Sequence, residues 1–427
     1  MRFKKVCVLG LGYIGLPTAS TLATHGLQVV GVDVNPQIVH GLQNGRLHLY
    51  EPGLRTLVQA ALRSGNLVVR SEPETADAFI IAVQTPFLED KRADLRYVRA
   101  ASEAIVPHLR TGNLVILEST SPPLTTLQVV APILERSGLR AGQDFHLVYS
   151  PERVLPGQIL RELIENARVV GGIDRASAEA ARDLYATFVR GEIVLTDCTT
   201  AEMVKLMENT FRDVNIALAN EFARLADRLG IDVWEAIALA NRHPRVNILR
   251  PGPGVGGHCI SVDPWFLVEA APDLTRLIRS AREVNDSQPD FVVEWVERNL
   301  GRLEGRRLAV LGLAYKPDVD DLRESPAIEV VHRLVHAGAH VRAYEPFKPE
   351  AQISGVPTVP TLPEALEKAE ALVLLVGHTS LREINPYEIQ TLTPARLAFD
   401  AVNGWDKTAW QAAGFRVLRL GDGREDA

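Results

Sequence analysis

The stretch that decides the fold is residues 5–33, KVCVLGLGYIGLPTASTLATHGLQVVGVD. Its apolar start at 5–9 is typical of a strand buried on both faces of a parallel sheet. A Gly-x-Gly-x-x-Gly turn follows at 10–15, then an apolar helix at about 16–25 and a second strand that ends in Asp33. This succession of strand, glycine turn, helix, strand and acid predicts a doubly wound α/β fold.

The glycine turn has the pattern that binds the pyrophosphate of a dinucleotide. Glycines let a phosphate approach the main chain, and free N–H groups at the start of the following helix attract its charge. Asp33 follows at the spacing expected for a carboxylate that binds the ribose hydroxyls. Because a carboxylate there repels a 2′-phosphate, we expect NAD rather than NADP. The predicted contacts are Gly10, Gly12, Tyr13, Ile14, Gly15 and Asp33.

Threonines follow two further predicted strands, at 78–83 and 114–117. Ligands of open α/β sheets bind beyond the carboxyl ends of the strands. Thr85, Thr120 and Thr126 are therefore candidate contacts to NAD. A role as a helix N-cap or turn residue is about as strongly favoured for each of them.

A fifth strand at 146–149 leads into a loop with the sequence SPERVLPG at 150–157. This loop brings the carboxylate of Glu152 and the guanidinium of Arg153 to the same edge of the sheet, because parallel strands end together. We therefore expect charged groups beside the predicted cofactor.

A long helix is predicted from about residue 200 to 229, where helical periodicity runs without proline or glycine. Lys205, Asn209 and Arg212 are spaced to share one face of it. Polar residues with this spacing most often lie on a solvent-exposed face of a helix. The neighbouring positions are apolar, however, and predict a largely buried helix; they are Met203, Leu206, Met207, Phe211 and Val214. Buried polar side chains need partners, which a substrate or a catalytic cleft would provide.

Cys259 ends a glycine-rich segment, PGPGVGGHC at 251–259. Free cysteines are usually inert buried hydrophobes, but this one is expected in a shaped loop whose N–H groups could bind an oxyanion. Asp263 lies close enough in sequence to face the same pocket. His243 and Arg245 precede the loop, and arginine suits phosphate or carboxylate recognition.

A second doubly wound layer is predicted in the last third of the chain. A strand at 307–311 leads into GLAYKP, which lacks the full glycine fingerprint, and a later strand ends at Glu345. Tyr315 and Lys316 suggest another nucleotide, with a ring for a base and an ammonium group for a phosphate. Arg323 either contacts NAD or forms an ion pair within its own loop.

The composition fits an ordinary globular protein of two or three domains: 427 residues, 46% hydrophobic, 23% charged and a formal net charge of −7. That charge favours neither nucleic acid nor an anionic membrane as a partner, and no apolar stretch has membrane-spanning length. Three cysteines argue against a disulfide framework and favour the reducing cytoplasm. We expect an N-terminal domain at 1–198, a central helical domain at 199–300 and a C-terminal domain at 301–427.

Taken together, these motifs resemble the nucleotide-sugar 6-dehydrogenases, the group that contains UDP-glucose and GDP-mannose dehydrogenases. The matching segments span nearly the whole chain: GLGYIGLP at 10–17, ESTSP at 118–122, SPERVLPG at 150–157, AEMVKLMENTFRDVNIALANE at 201–221, PGPGVGGHC at 251–259 and GLAYKPDVDDLRESP at 312–326. The resemblance implies two Rossmann-like domains joined by a long central helix. It also implies oxidation of a sugar C6 hydroxyl to a carboxylate with two NAD in turn, through a cysteine thioester.

The resemblance also implies roles for individual residues. The catalytic set is Cys259, Lys205, Asn209, Asp263, Glu152 and Thr120, and no metal is expected. The predicted contacts to the UDP-sugar are Arg153, Val154, Lys205, Asn209, Arg212, His243, Arg245, Gly256, Tyr315 and Lys316. His243 and Arg245 resemble residues lent by a neighbouring subunit, which implies a homodimer through the long helix. The family further implies a place in cell-surface polysaccharide synthesis.

Several alternatives stay open. His258 and Val262 stand where UDP-glucose dehydrogenases carry serine and lysine, which favours UDP-N-acetyl-D-mannosamine over UDP-N-acetylglucosamine or UDP-glucose as substrate. Gln84 and Leu124 replace a usual proline and glycine, so the local geometry of the cofactor loops is open. A two-electron hydroxy-acid dehydrogenase and a non-catalytic NAD-binding protein are the remaining readings; neither has a use for Cys259 in its glycine loop.

Overall fold

The computed structural model describes residues 3–155 and 157–424. Pro156, part of the predicted loop at 150–157, lies outside them. The chain forms two compact units. The first holds the residues up to Glu208 together with Trp265–Pro272, and the second holds Asn209–Pro264 and the residues from Asp273 onward.

An eight-stranded sheet forms the centre of the first unit. Its strand order is β3-β2-β1-β4-β5-β6-β7-β8, and every pairing is parallel except the antiparallel pairing of β6 with β7. The strands are β1 Lys5–Leu9, β2 Gln28–Val32, β3 Leu67–Arg70, β4 Ala78–Ile81, β5 Leu114–Leu117, β6 His146–Tyr149, β7 Arg168–Gly172 and β8 Ile193–Asp197.

Helices cover both faces of this sheet, because alternate strand residues are apolar on each side. In β1, Val6 and Val8 belong to one core cluster and Cys7 and Leu9 to another. The helices are α1 Gly15–Thr24, α2 Pro36–Gln43, α3 Leu54–Arg63, α4 Arg96–Ile105, α5 Ala131–Leu134, α6 Ile159–Glu165 and α7 Arg175–Tyr185, with a π-helical turn at Thr126–Val130 and 3₁₀ turns at Val106–His108 and Glu135–Ser137. The long α8, Cys198–Leu229, begins in this unit and continues in the second.

The second unit contains a five-stranded parallel sheet of order β10-β9-β11-β12-β13. Its strands are β9 Arg307–Leu311, β10 His340–Tyr344, β11 Ala371–Leu374, β12 Leu397–Asp400 and β13 Arg416–Arg419. The remaining helices are α9 Val233–Ala240, α10 Asp263–Ala270, α11 Arg276–Asp286, α12 Gln288–Leu300, α13 Pro326–His336, α14 Leu362–Leu366, α15 Thr379–Arg382, α16 Pro386–Leu392 and α17 Lys407–Ala412.

The predicted fold class is confirmed: two Rossmann-like sheets and a long helix between them in sequence. In each sheet the strand order reverses beside the first strand, which is where such folds bind their ligands. The expectation of a largely buried α8 is wrong for one face, because Met207 and Phe211 are 55% and 65% exposed. Among the described residues, no helix is long and apolar enough to cross a membrane.

Candidate active site

The glycine turn after β1 has the geometry that a pyrophosphate needs. Gly10 has φ +92°, and a Cβ there would lie 2.5 Å from the carbonyl oxygen of Ala82. A Cβ on Gly15 would lie 1.8 Å from the carbonyl oxygen of Gly10. A Cβ on Gly12, in contrast, would meet no atom within 4 Å. Gly10 and Gly15 are therefore required by packing, whereas Gly12 leaves open space where a ligand can approach the main chain.

Asp33 lies directly after β2 and is tied to the same turn. Its carboxylate accepts hydrogen bonds from the N–H groups of Leu11 (3.0 Å) and Asn35 (2.9 Å). Tyr13 and Ile14 lie half-buried in the turn just before α1. The open backbone, the helix start and a carboxylate beside them fit the pyrophosphate and ribose of NAD.

The loops after β4 and β5 are bonded to each other. The hydroxyl of Thr85 donates to the carbonyl oxygen of Thr120 (2.5 Å), and the hydroxyl of Ser119 donates to that of Val83 (2.7 Å). Thr126 is fully buried, and its hydroxyl donates to Glu202 (2.6 Å). Contacts of the three threonines to NAD stay predictions, but the polar groups of Thr85 and Thr126 already have partners within the chain.

Glu202 on α8 holds the loop that contains Thr126, a role that the sequence did not reveal. Its buried carboxylate accepts the N–H groups of Leu124 (2.6 Å) and Thr126 (2.8 Å). Burial raises the pKa of Glu202, although the Thr126 bonds oppose this. Leu124 has φ +73°, a conformation that favours glycine, so the departure from glycine leaves a strained backbone that Glu202 helps to fix.

Glu152 and Arg153, predicted at one edge of the sheet, are both engaged in ion pairs. Arg153 binds both carboxylate oxygens of Glu208, at 3.1 Å and 2.5 Å, and also donates to the carbonyl oxygen of Ala167. Glu152 is buried and pairs with Arg168 at 2.8 Å. The side chain of Val154 packs against the core cluster. Glu208 and Arg168 were not recognised in the sequence: Glu208 lies within the segment 201–221 but has no distinguishing pattern of its own, and Arg168 has no motif around it.

The polar face of α8 divides into three environments. Lys205 is half-buried and, within the described part of the chain, has no ion-pair partner. Asn209 is buried, and its Nδ2 donates to the carboxylate of Asp263 at 2.5 Å. Arg212 is exposed. The structure thus brings together Asn209 and Asp263 from the predicted catalytic set, and leaves the ammonium of Lys205 available for a ligand.

Cys259 lies in a turn immediately before α10 and is half-buried. Its carbonyl oxygen accepts the N–H groups of Val262 (3.0 Å) and Asp263 (2.8 Å). Cys259 is therefore one helical turn before Asp263, the partner of Asn209. Unlike Cys7 and Cys198, which are buried in the core, Cys259 is open to solvent in part, as a nucleophile must be.

Close packing explains the glycines that precede Cys259. A Cβ on Gly256 would lie 2.3 Å from the carbonyl oxygen of Glu324, and one on Gly257 would lie 2.8 Å from the ring of Tyr315. The N–H of Gly257 also donates to the carbonyl oxygen of Arg323 (3.2 Å). The segment 315–324 therefore fixes the path of the cysteine loop.

A buried amide network anchors the start of the same loop. Asn220 accepts the N–H of Gly252 (2.9 Å) and donates to Asn285 (2.9 Å), which in turn donates to Asp213 (2.8 Å). Arg282 neutralises Asp213 at 2.6 Å. These side chains come from α8 and α11, so two helices hold the loop in place.

The first turn of the second sheet differs from the NAD turn as the sequence predicts. Glu345 accepts the N–H groups of Leu313 (2.7 Å) and Ala314 (2.9 Å) and contacts His378 (3.1 Å). The turn amides are thus already bonded to a carboxylate of the chain, and a phosphate at that position would be repelled.

The remaining predicted substrate residues lie on accessible segments. Tyr315 and Lys316 are half-buried, with the Lys316 ammonium 5.8 Å from the centre of the Tyr315 ring. Arg323 forms an ion pair with Asp321 at 2.7 Å, so its contact to NAD stays a prediction. His243 and Arg245 are exposed in the segment after α9.

Comparison with known proteins shows which family the chain belongs to. Three family models match in order: the NAD binding domain of the UDP-glucose/GDP-mannose dehydrogenase family at residues 4–189, its central domain at 199–287 and its UDP binding domain at 309–407. The chain belongs to the UDP-glucose/GDP-mannose dehydrogenase family. It is an NAD-dependent nucleotide-sugar dehydrogenase, with the NAD turn in the N-terminal domain and a UDP-binding domain at the C-terminal end.

Several members of the family are similar over nearly the whole chain. A UDP-N-acetyl-D-mannosamine dehydrogenase of Methanococcus maripaludis is 48% identical, covering 98% of this chain and 97% of the relative. An NDP-N-acetyl-D-galactosaminuronic acid dehydrogenase of Ralstonia solanacearum is also 48% identical, over 94% and 96%. The solved UDP-D-ManNAc dehydrogenase of Pyrococcus horikoshii has a TM-score of 0.91 and 41% identity, covering 98% of this chain and 99% of that structure.

The open space at Gly12 yields a test of the NAD site. Gly12→Ala is expected to fold normally, because its Cβ meets no protein atom. We expect its dissociation constant for NAD⁺ to rise by at least about tenfold, since the methyl group occupies the space of the pyrophosphate. Calorimetric titration with NAD⁺ measures this. Gly252→Ala is the control, because its Cβ is equally unobstructed; unchanged affinity in Gly12→Ala would contradict the site.

Proposed function

We propose that this dehydrogenase oxidises the C6 hydroxyl of UDP-N-acetyl-D-mannosamine to the carboxylate, with two NAD⁺ reduced per sugar. The half-buried Cys259, one helical turn before Asp263 in the chain, carries the proposal, because Asp263 bonds Asn209. A two-electron alcohol oxidation has no use for a thiol nucleophile. In a four-electron oxidation a thiol can hold the aldehyde covalently before its second oxidation.

The proposed chemistry balances in four steps. Bound NAD⁺ accepts a hydride from C6 in each of the two oxidations. In the first, the C6 hydroxyl loses its proton to water and becomes an aldehyde. The thiolate of Cys259 adds to the aldehyde carbon as a thiohemiacetal, and the second oxidation converts this to a thioester. Water cleaves the carbon–sulfur bond, which leaves a carboxylate, the free thiol, two NADH and three protons.

Polar groups of the chain have defined parts in this route. The ammonium of Lys205 and the amide of Asn209 stabilise the oxyanions. Lys205 is half-buried and has no ion-pair partner among the residues that the structure describes, which supports its part. Asp263 fixes the amide of Asn209 through their hydrogen bond. The carboxylate of Glu152, with Thr120 on the adjacent loop, manages the water of the last step.

The identity of the sugar rests on relatives. The mannosamine assignment follows the 48% identical Methanococcus enzyme and the Pyrococcus structure. An N-acetylgalactosamine nucleotide is the second candidate, because the Ralstonia relative has the same identity. UDP-glucose is less favoured, since the UDP-glucose dehydrogenase of Pyrobaculum islandicum is 31% identical. We place the reaction in the cytoplasm, in line with the low and odd number of cysteines, which does not suit a disulfide framework, and in the synthesis of surface polysaccharide.

The substrate and the electron count can be measured together. We expect two NADH per UDP-N-acetyl-D-mannosamine consumed, with kcat/KM at least about tenfold above that for the glucosamine, galactosamine and glucose nucleotides. Absorbance of NADH against sugar consumed measures both. One NADH per sugar would indicate a two-electron dehydrogenase, and none with any sugar would indicate a protein that only binds NAD.

The thioester route predicts the effect of removing the thiol. Cys259→Ser should abolish formation of the uronic acid and leave NAD⁺ affinity unchanged, because a serine hydroxyl is a far weaker nucleophile at neutral pH. Chromatography of the products measures the acid. Cys198→Ser is the matched control, since that thiol is buried and donates to the carbonyl oxygen of Gly171. Acid formation by Cys259→Ser at the wild-type rate would refute the route.

We further propose that two copies of the chain associate through α8. Phe211, Leu218, Leu225 and Leu229 are 65%, 42%, 47% and 69% exposed and line one stripe of the helix at intervals of seven and four residues. An apolar stripe with this spacing suits packing against a second helix. The exposed His243 and Arg245 would then reach the active site of the partner subunit.

The dimer predicts that charge on the stripe reduces both association and turnover. Leu218→Glu combined with Leu225→Glu should shift the mass from dimer to monomer and reduce turnover, because His243 and Arg245 are lost to the partner. Light scattering after size exclusion measures the mass. Leu392→Glu is the control, since Leu392 is equally exposed (44%) on α16. A fully active monomer would contradict the proposal that His243 and Arg245 contribute to the active site of the partner subunit.

A further inference from the structure

A buried ionic cluster in the first unit joins the ends of two neighbouring strands. Glu118 follows β5, Glu152 follows β6, and Arg168 begins β7. Their side chains are 0%, 8% and 5% exposed. Because β7 runs antiparallel to β6, its first residue lies beside the carboxyl end of β6. The guanidinium therefore reaches the edge of the sheet where the catalytic loops lie.

Hydrogen bonds fix every member of the cluster. Arg168 donates from Nη2 to Glu152 Oε2 (2.8 Å) and from Nη1 to Glu118 Oε1 (3.4 Å). The N–H of Arg153 donates to Glu152 Oε1 (2.7 Å). Tyr185 of α7 donates its hydroxyl to Glu118 Oε1 (2.6 Å), and its ring lies 4.3 Å from Arg168 Cζ. Both oxygens of Glu152 are thus held in one orientation.

The charges in the cluster do not balance if both carboxyl groups ionise. Burial raises the pKa of Glu118 to about 7; Arg168 opposes the rise and Glu152 adds to it. Among the described residues, Oε2 of Glu118 has no hydrogen-bond partner. A negative charge at Glu118 is therefore costly. The carboxylate that neutralises the positive charge of Arg168 is then that of Glu152.

We propose that Arg168 is a positioning residue that orients the carboxylate of Glu152 for catalysis, with Glu118 and Tyr185 holding Arg168 in place. This rests on the proposed function, in which Glu152 manages the water that cleaves the thioester. A carboxylate with one oxygen on a guanidinium and the other on a backbone N–H cannot rotate. Its remaining lone pairs are aimed in fixed directions, as a base that acts on a single water needs.

Rapid-mixing kinetics of Arg168→Met and Arg168→Lys test the proposal. In Arg168→Met we expect the first burst of NADH to keep its amplitude per enzyme, because hydride transfer does not need Glu152. The steady rate that follows should fall by at least about a hundredfold. Arg168→Lys keeps the positive charge but loses the paired N–H donors of the guanidinium, so its steady rate should fall less than that of Arg168→Met.

A purely structural role for Arg168 gives a different pattern. It would reduce the burst amplitude in proportion to misfolded enzyme and leave the steady rate per burst site unchanged, which would overturn the proposal. If Arg168→Met does not fold, Arg168→Lys decides, and a wild-type steady rate in that variant would equally overturn it.

Further variants test the part of Glu118 and control for effects that the loss of any arginine would have. Glu118→Gln should stay within about threefold of the wild-type steady rate, because its neutral amide resembles the protonated carboxyl group. A hundredfold loss there would overturn the part given to Glu118. Arg136→Met, at an exposed ion pair with Glu103, is the control for loss of an arginine. A wild-type enzyme that forms no NADH with any sugar would refute the proposed function itself.

Discussion

Carboxylates that accept backbone N–H groups, most of them buried, hold the loops beside the sheets of this protein. Such loops cannot satisfy their own amides as helices and strands do, and an unbonded buried amide is costly. In each case an acidic side chain from another part of the chain supplies the acceptor. The pairs are Asp33 with Leu11, Glu202 with Leu124 and Thr126, Glu51 with Gly157 and Ile159, and Glu345 with Leu313 and Ala314.

A carboxylate that accepts N–H groups of the first turn has different consequences in the two Rossmann-like sheets. In the first, Asp33 bonds the N–H of Leu11 and leaves the space at Gly12 open, so the turn can still admit a pyrophosphate. In the second, Glu345 bonds two successive turn amides and excludes an anion. The two related sheets therefore differ at their first turn: one turn leaves room for a dinucleotide, and the other has its amides bonded to a carboxylate of the chain.

Local sequence patterns predicted the strands and helices that those same residues form. The partners that a side chain acquires from distant parts of the chain could not be predicted. The strand–turn–helix unit at 5–33 and α8 follow from periodicity and glycine spacing, which need only neighbouring residues. Strand β7 was missed, because it starts with Arg168 and ends with two glycines, a poor strand pattern by itself. The burial of Arg168 depends on acids from β5 and β6, and no local signal indicates which charged residue acquires such partners. The exposed face of α8 was misjudged for a related reason, since apolar character does not say whether the covering surface belongs to the same chain.

The glycines around Cys259 have a different purpose from the one that their composition suggested. Gly256 and Gly257 are required because residues 315–324 pack against them, so the loop of the nucleophile and the segment with Tyr315 and Lys316 share one packed region of the second unit. The NAD turn belongs to the first unit. In the proposed route the sugar stays bound to Cys259 while one NADH leaves and a second NAD⁺ arrives. In that proposal the packing within the second unit fixes the loop of the thiol, and the covalent intermediate would keep its position through this packing while the cofactor exchanges.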